Sequence, residues 1–411
     1  MIRPTQAVIL CGGLGSRLRP FTDNNAKPMA PCNGKPFLWH LINQLHEQGF
    51  DDFLLLTGYR SEKIEGYFGN GEEFGWRIKY STGPVDWDTT RRLWEARSQI
   101  DDTSLLMYSD NFATFSFGKL FEVFNKTSSA ITFTVHPKIP GNISLDENNL
   151  VIKYDNNRND SSLNYVEIGY MILNKKIMLE NIHNIHGNFS IVLQDMSKKG
   201  LVSAYIQNDK YYSISDPARW ELMDKYLKHK KIILLDRDGV INVKADRGKY
   251  ITSWKDFEWI QDTKSALKKL SDLGFSFIVI SNQAGIARGM LSHDQLDFIH
   301  SNLFNQCKIE GINILDIFVC PHHWDDCCDC RKPLPGMFYK ASIKYYLRLD
   351  KVVFIGDDPR DCQAAYNANC KCMYIGDENE LINLKQEEMP FIRSDLISNK
   401  LNELIDFYAS E

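Results

Sequence analysis

At 411 residues the chain is long enough for about two or three domains. Its 43% hydrophobic and 25% charged content is that of a soluble globular protein, and a net charge of -5 offers no basic field for nucleic acid. No apolar run reaches the roughly 18 residues that span a membrane, and MIRPTQAVILCGG runs from a short apolar stretch straight into glycines, unlike a signal peptide. The ten cysteines, with no export signal, predict reduced thiols in a cytoplasmic protein. The expected partners are therefore small molecules, with neither nucleic acid nor membrane; homo-oligomerisation is left open.

In chain order, QAVILCGG at 6–13 is a buried-strand pattern that ends in a glycine loop. PFLWHLINQLHEQG then reads as a helix, and DDFLLLTG, SLLMYSD and SAITFTVH read as further strands. DPARWELMDKYLKHKK, 216–231, reads as a short polar helix joining two halves, with no Gly/Ser linker, which predicts halves that pack. A second start follows at KKIILLDRDGVIN, 230–242, succeeded by helix-like TKSALKKLSDLG, strand-like FSFIVISNQAG, helix-like HDQLDFIHSNLFNQCKIEG, and the strands of DIFVCPHH and KVVFIGDD. This alternation predicts an α/β protein with parallel strands in both halves. The stretch after about 378, ENELINLKQEEMP, reads as a polar surface element.

The informative piece of the first half is LCGGLGSRLRPFTDNNAKPM, 10–29. Gly12, Gly13 and Gly15 let backbone amides approach phosphates, and Arg17 and Lys27 add positive charge. The combination GGxGSRLxP…KP resembles the signature loop of the sugar-phosphate nucleotidyltransferases, which join a nucleoside triphosphate to a sugar 1-phosphate and release pyrophosphate. The resemblance covers roughly 6–225 and implies a domain over 1–228 with a Rossmann-like mixed sheet. It assigns Leu10, Gly12, Gly13, Gly15, Ser16, Arg17 and Lys27 to the nucleotide, with Arg17 and Lys27 also catalytic. It places a magnesium-binding carboxylate at Asp110 in LLMYSDNF, and sugar contacts at Glu167 and Gly169 in NYVEIGYMIL. Two departures stand out. Ser213 in YYSISDPARW occupies the position of the family's second metal aspartate, which makes Asp216 the candidate replacement. The usual Glu-x-x-x-Leu-Gly-Thr stretch is replaced by STGPVDWDTTRRL.

The second half carries DRDGVIN at 236–242: a carboxylate at a strand end, another two residues on, then glycine. With Ser281 in VISNQAG, Lys332 in CRKP and Asp357 in FIGDDPRD, it resembles the haloacid dehalogenase superfamily of phosphatases, with all four motifs in order. The chemistry accounts for the residue types. Asp236 is the nucleophile that carries the phosphoryl group, and Asp238 is the general acid and base. Magnesium is expected on Asp236, Asp357 and the backbone carbonyl of Asp238. Ser281, Asn282, Gln283 and Lys332 are expected at the phosphate, and Arg288 and Arg331 at the distal part of the substrate. Of Asp358 and Asp361, one is expected to support the metal and the other to cap a helix. The domain is placed at 229–411, a Rossmannoid fold without a large cap, because only about 40 residues separate Asn282 from the cysteine-rich stretch that precedes the phosphate lysine.

That stretch is CPHHWDDCCDC, 320–330. Cys320, His322, Cys328 and Cys330 form a closed set of soft ligands suited to one tetrahedral structural zinc, with His323 and Cys327 as spares. This loop resembles those of the heptose bisphosphate and the histidinol phosphate phosphatases. Pairing with a sugar 1-phosphate nucleotidyltransferase favours the former, because removing C7 phosphate from D-glycero-D-manno-heptose 1,7-bisphosphate yields a heptose 1-phosphate. The first half then resembles a heptose 1-phosphate guanylyltransferase; GTP is favoured, with CTP and ATP as alternatives. The rival reading keeps the phosphatase and makes the first half a binding module with degraded catalysis.

Overall fold

The computed structural model describes residues 3–246 and 248–409. The chain divides into two compact units, Met1–Lys228 and His229–Glu411.

The first unit is built on a nine-stranded sheet. Its main strands are β1 (Gln6–Leu10), β2 (Asp52–Thr57), β3 (Arg77–Thr82), β4 (Thr103–Tyr108), β5 (Ile131–Pro137), β6 (Tyr165–Asn174) and β7 (Val202–Ile206). β1 is buried along its whole length and sits centrally, parallel to β2 and β4, which is why it reads as an unbroken apolar run. Helix α1 (Phe37–His46) buries Phe37, Leu41 and Leu45. Each such side chain contributes about 1.5–3 kcal/mol when fully buried. The sheet is mixed, as the family resemblance implies, although strand-helix alternation by itself suggests parallel strands. β6 lies antiparallel to both β4 and β5, while β7 returns parallel to β5. The reason is the connection: the chain between β5 and β6 forms short antiparallel strands, Ile143–Leu145 and Val151–Tyr154, instead of a crossover helix. The β5–β6 register shifts between Glu167 and Met171, around Gly169.

The second unit has a six-stranded, all-parallel sheet: β8 (Ile232–Leu235), β9 (Ser276–Asn282), β10 (Ile314–Cys320), β11 (Val353–Gly356), β12 (Lys371–Ile375) and β13 (Ile392–Ser394). The order is β10-β9-β8-β11-β12-β13, so β8 is internal and its C-terminal end opens at the reversal of strand order. No cap domain interrupts the described residues. The tail departs from its polar reading. Leu381 is buried, β13 extends the sheet, and a final helix, Leu401–Ala409, inserts Leu404 and Tyr408 into the core. No helix among the described residues is long and apolar enough to cross a membrane.

Two candidate active sites and a candidate metal centre

In the first unit the glycine loop leaves the end of β1 and folds back against the end of β4. Ser109 donates to the Leu10 carbonyl at 2.6 Å, which ties the two strand ends together. Gly15 has φ 62°, and a Cβ there would lie 2.7 Å from the Cβ of Lys27, so this turn requires glycine. Leu10, Gly12, Gly13, Gly15, Ser16, Arg17 and Lys27 all line one cavity of about 380 Å³. Asp110 stands at its edge and meets Lys27 Nζ at 2.8 Å.

Arg17, Asp110 and Ser215 also line an adjoining cavity of about 560 Å³, which contains Glu167. Glu167 Oε1 is buried without a hydrogen-bond partner, and burial pushes the carboxyl up to about 7. A buried carboxyl that takes a backbone hydrogen bond from Gly169 and keeps one oxygen unpartnered beside a cavity is suited to accepting a hydroxyl. Gly169 lies in the bulge that aims this stretch, against the ring of Tyr108.

Asp216 does something else. It caps helix Pro217–Leu227 by accepting from the Arg219 amide at 2.9 Å and pairs with the Arg219 guanidinium at 3.4 Å. It lines neither cavity; Ser213 and Ser215 face that space instead. The expectation that Asp216 stands in for the missing metal aspartate is therefore corrected to a capping role. A proline after an N-cap aspartate, as in DPARW, is the signal that identifies it.

Two residues of the STGPVDWDTTRRL stretch were not foreseen as site components. Arg92 is buried and donates to the carbonyls of Thr57, Gly12 and Pro84 at 2.6, 3.2 and 2.7 Å, fixing the glycine loop from below. Trp87 forms part of the wall of the glycine-loop cavity, with Arg91 over its ring at 4.8 Å.

In the second unit Asp236 follows β8, its amide still bonded to the Ile355 carbonyl at 2.9 Å. The turn after it requires Gly239: φ is 96°, and a Cβ would lie 2.1 Å from the Asp357 carboxylate. Asp236, Asp357 and Asp361 bring oxygens within 4.8 Å of one another. Burial raises Asp236 despite the pull of Lys332, and raises Asp357 to about 6. Three buried carboxylates packed this closely repel unless a cation joins them, so the set fits a divalent ion. Lys332 Nζ supplies part of that charge, 2.9 Å from Asp236 and 2.8 Å from Asp361. Burial works against its charge, but the two carboxylates outweigh that and raise its pKa. Asp358 is the helix cap and Asp361 joins the cluster, accepting from the amides of Asp357 and Asp358 at 3.1 and 3.2 Å.

Asp238 is held by a set of neighbours that sequence reasoning only partly named. The buried Arg237 donates to both of its oxygens at 2.9 Å, Asn242 donates at 3.0 Å, and Gln283 donates at 2.8 Å. Burial alone would raise Asp238, yet Arg237 and the amide donors carry it below the usual carboxylate range. Gln283 is thus corrected: it is buried, it bridges Asp238 and Ser281, and it does not line the cavity. Ser281, Asn282, Arg288, Arg331 and Lys332 do line that cavity, of about 960 Å³. Asn282 exchanges two hydrogen bonds with the Lys332 backbone, at 3.2 and 3.0 Å. Arg288 lies over the rings of Tyr250 and Trp324, at 5.8 and 5.7 Å.

Directly before Lys332, the side chains of Cys320, His322, Cys328 and Cys330 converge. Cys320 Sγ is 3.7 Å from Cys328 Sγ and 3.5 Å from His322 Nδ1, which is 3.2 Å from Cys330 Sγ. Tetrahedral metal–sulfur bonds of about 2.3 Å put neighbouring donors roughly 3.8 Å apart, so the four fit a closed metal centre. Cys327 is exposed, and His323 pairs with Asp325 at 3.1 Å, outside the group.

The two units thus carry a glycine-loop cavity and a carboxylate-lysine cluster, respectively. Residues 6–257 match the family model described as Nucleotidyl transferase, and 231–409 match that described as Polynucleotide kinase 3 phosphatase. The D-glycero-alpha-D-manno-heptose-1,7-bisphosphate 7-phosphatase of Photorhabdus laumondii is 41% identical over 153 residues, 35% of this chain and 82% of its own length. The D-glycero-beta-D-manno-heptose-1,7-bisphosphate 7-phosphatase of Bordetella bronchiseptica is 34% identical over 160 residues, 39% of this chain and 88% of its own. The crystal structure of HddC from Yersinia pseudotuberculosis complexed with GMP-PN covers 55% of this chain and 100% of its own, with TM-score 0.47 and 20% identity. The chain belongs to the nucleotidyl transferase family, and its second unit to the family of heptose bisphosphate phosphatases. It is a bifunctional enzyme, transferase and phosphatase on one polypeptide.

Proposed function

We propose that the second unit removes the C7 phosphate of D-glycero-D-manno-heptose 1,7-bisphosphate and that the first joins the resulting heptose 1-phosphate to a nucleotide. The observation that carries this is the pairing itself: a unit 41% identical to a bisphosphate 7-phosphatase shares its chain with a nucleotidyl transferase unit. The product of the one is chemically the acceptor of the other. GTP is the favoured donor, and the cytosol, where thiols stay reduced, is the proposed compartment.

In the phosphatase step an Asp236 oxygen attacks phosphorus and the P–O bond to C7 breaks, leaving an aspartyl phosphate. Asp238 gives its proton to the departing alkoxide and then takes one from the water that releases phosphate. Because the Arg237 clamp keeps Asp238 ionised, the proton must arrive with the substrate phosphate, whose charge opposes that ionisation. Lys332 and Ser281 hold the phosphoryl oxygens. Asp236, Asp357 and Asp361 would hold magnesium, which when bound neutralises the charge shared by carboxylates and phosphate. The four-residue Cys/His set would hold a structural zinc that orders the segment carrying Arg331 and Lys332.

In the transfer step the glycine-loop amides and Arg17 hold the triphosphate, while Lys27 offsets charge at the reacting phosphates. Asp110 would hold a magnesium ion against the same oxygens, and Glu167 would accept sugar hydroxyls. The decisive assay offers four nucleoside triphosphates with each anomer of heptose 1-phosphate and follows pyrophosphate. Release with GTP is expected; release with none of the four would leave the first unit a binding module.

A further inference from the structure

We propose that the acceptor cavity of the first unit contains a second anion subsite, formed by Lys138, Arg158 and Lys210, that takes a phosphate at the far end of the acceptor sugar. The bisphosphate consumed by the second unit then also binds the first. This rests on the transferase reading of that unit.

Chemistry separates the two kinds of cation in this cavity. A new P–O–P bond forms when a 1-phosphate oxygen attacks the α-phosphorus of the triphosphate and the bond to pyrophosphate breaks. The reacting 1-phosphate must therefore lie where the two cavities share Arg17 and Asp110, beside Lys27. What extends from there into the larger cavity is the sugar, and a neutral polyol calls for hydroxyl acceptors, which Glu167 supplies. Lys138, Arg158 and Lys210 are then three cations more than a monophosphorylated sugar needs.

They arrive from three separate loops. Lys138 follows β5, its amide held by the Asn164 carbonyl at 2.9 Å. Lys210 follows β7, its amide held by Asp209 at 2.8 Å. Arg158 sits at φ 56° in a turn whose next two amides both donate to Asp155. None of the three has a carboxylate partner among the described residues, unlike Lys27 and Arg219, which do. Unneutralised cations gathered around one concave wall favour an anion there. A dianionic phosphate, with three acceptor oxygens, is the kind of anion that three cationic donors lining one cavity can hold.

The test uses the full chain carrying Asp236→Asn, so that the bisphosphate survives. Heptose 1-phosphate with the triphosphate must first release pyrophosphate; if it does not, the transferase reading has failed and the subsite question is moot in a recognisable way. Given that release, heptose 1,7-bisphosphate should compete with the monophosphate at concentrations below the latter's KM. Adding Lys138→Ala, Arg158→Ala and Lys210→Ala should weaken bisphosphate competition about tenfold more than it raises the KM for the monophosphate. Without those substitutions, raising salt should weaken the competition more than it raises that KM, which guards against a variant that folds poorly. No competition, or equal losses for both sugars, would overturn the subsite; equal losses would assign the three cations to the 1-phosphate.

Discussion

The two units place their chemistry at the same kind of position, the C-terminal end of an internal parallel strand, but they manage charge in opposite ways. On the function proposed above, the reacting groups of the second unit belong to the protein. Asp236, Asp357 and Asp361 are buried together, Lys332 is locked between two of them, and Arg237, Asn242 and Gln283 hold Asp238. In the first unit both reactants bring their own phosphates. The protein there offers glycine amides, one Lys27–Asp110 pair, and three cations without a carboxylate partner among the described residues, around a cavity of about 560 Å³. A covalent mechanism needs a nucleophile held in place before substrate arrives, whereas a transfer between two bound anions needs a receptive surface. Substitutions should therefore act locally and steeply in the second unit, and more through binding in the first.

The largest effect sharpens that contrast. Asp236→Asn should reduce phosphate release from heptose 1,7-bisphosphate by on the order of 10⁴-fold or more, while pyrophosphate release from heptose 1-phosphate and triphosphate stays as in the unmodified chain. Retained phosphatase turnover would break the nucleophile assignment.

Lys27→Ala should cost roughly 10²–10³-fold in pyrophosphate release, by removing charge at the reacting phosphates, and leave the phosphatase rate unchanged. A parallel fall in both activities would show that the units do not act separately.

Cys330→Ser should abolish bound zinc and slow the phosphatase about 10–100-fold, since the metal would act only by ordering Arg331 and Lys332. Metal analysis alongside kinetics checks this. Full activity with the zinc gone would defeat the ordering role.

Asp216→Ala should be the mildest for catalysis. It removes a helix cap worth about 1 kcal/mol, measurable by denaturation of the chain, with little change in pyrophosphate release. A collapse of transfer would restore Asp216 as a metal ligand.

The second unit should also show a pH signature. Burial and the nearby Arg237 push His300 down to about 3, so the folded state holds it neutral. A depressed folded pKa contributes stability above the unfolded value of about 6.5, lost as pH falls towards 3. Denaturation at pH 7 and pH 5 should show a loss in the unmodified chain that His300→Gln lessens.

Much was legible in the linear chain because these sites are built from contiguous motifs at strand ends. A glycine loop after QAVIL, a carboxylate pair after IILL, and a Cys/His cluster within eleven residues each have their geometry set by local backbone. What tertiary structure alone decided was assigned by distant partners. Gln283 sits beside Asn282 in the sequence, yet just past the end of β9 its side chain turns inward to Asp238 and Ser281. Arg92 reaches the glycine loop from 80 residues away. Asp216 and Ser213 differ by three positions, but the start of a helix takes the aspartate as its cap and leaves the serine facing the cavity. Strand periodicity alone likewise left the direction of β6 unset. Periodicity marks a strand, whereas its direction in the sheet depends on the connection that precedes it.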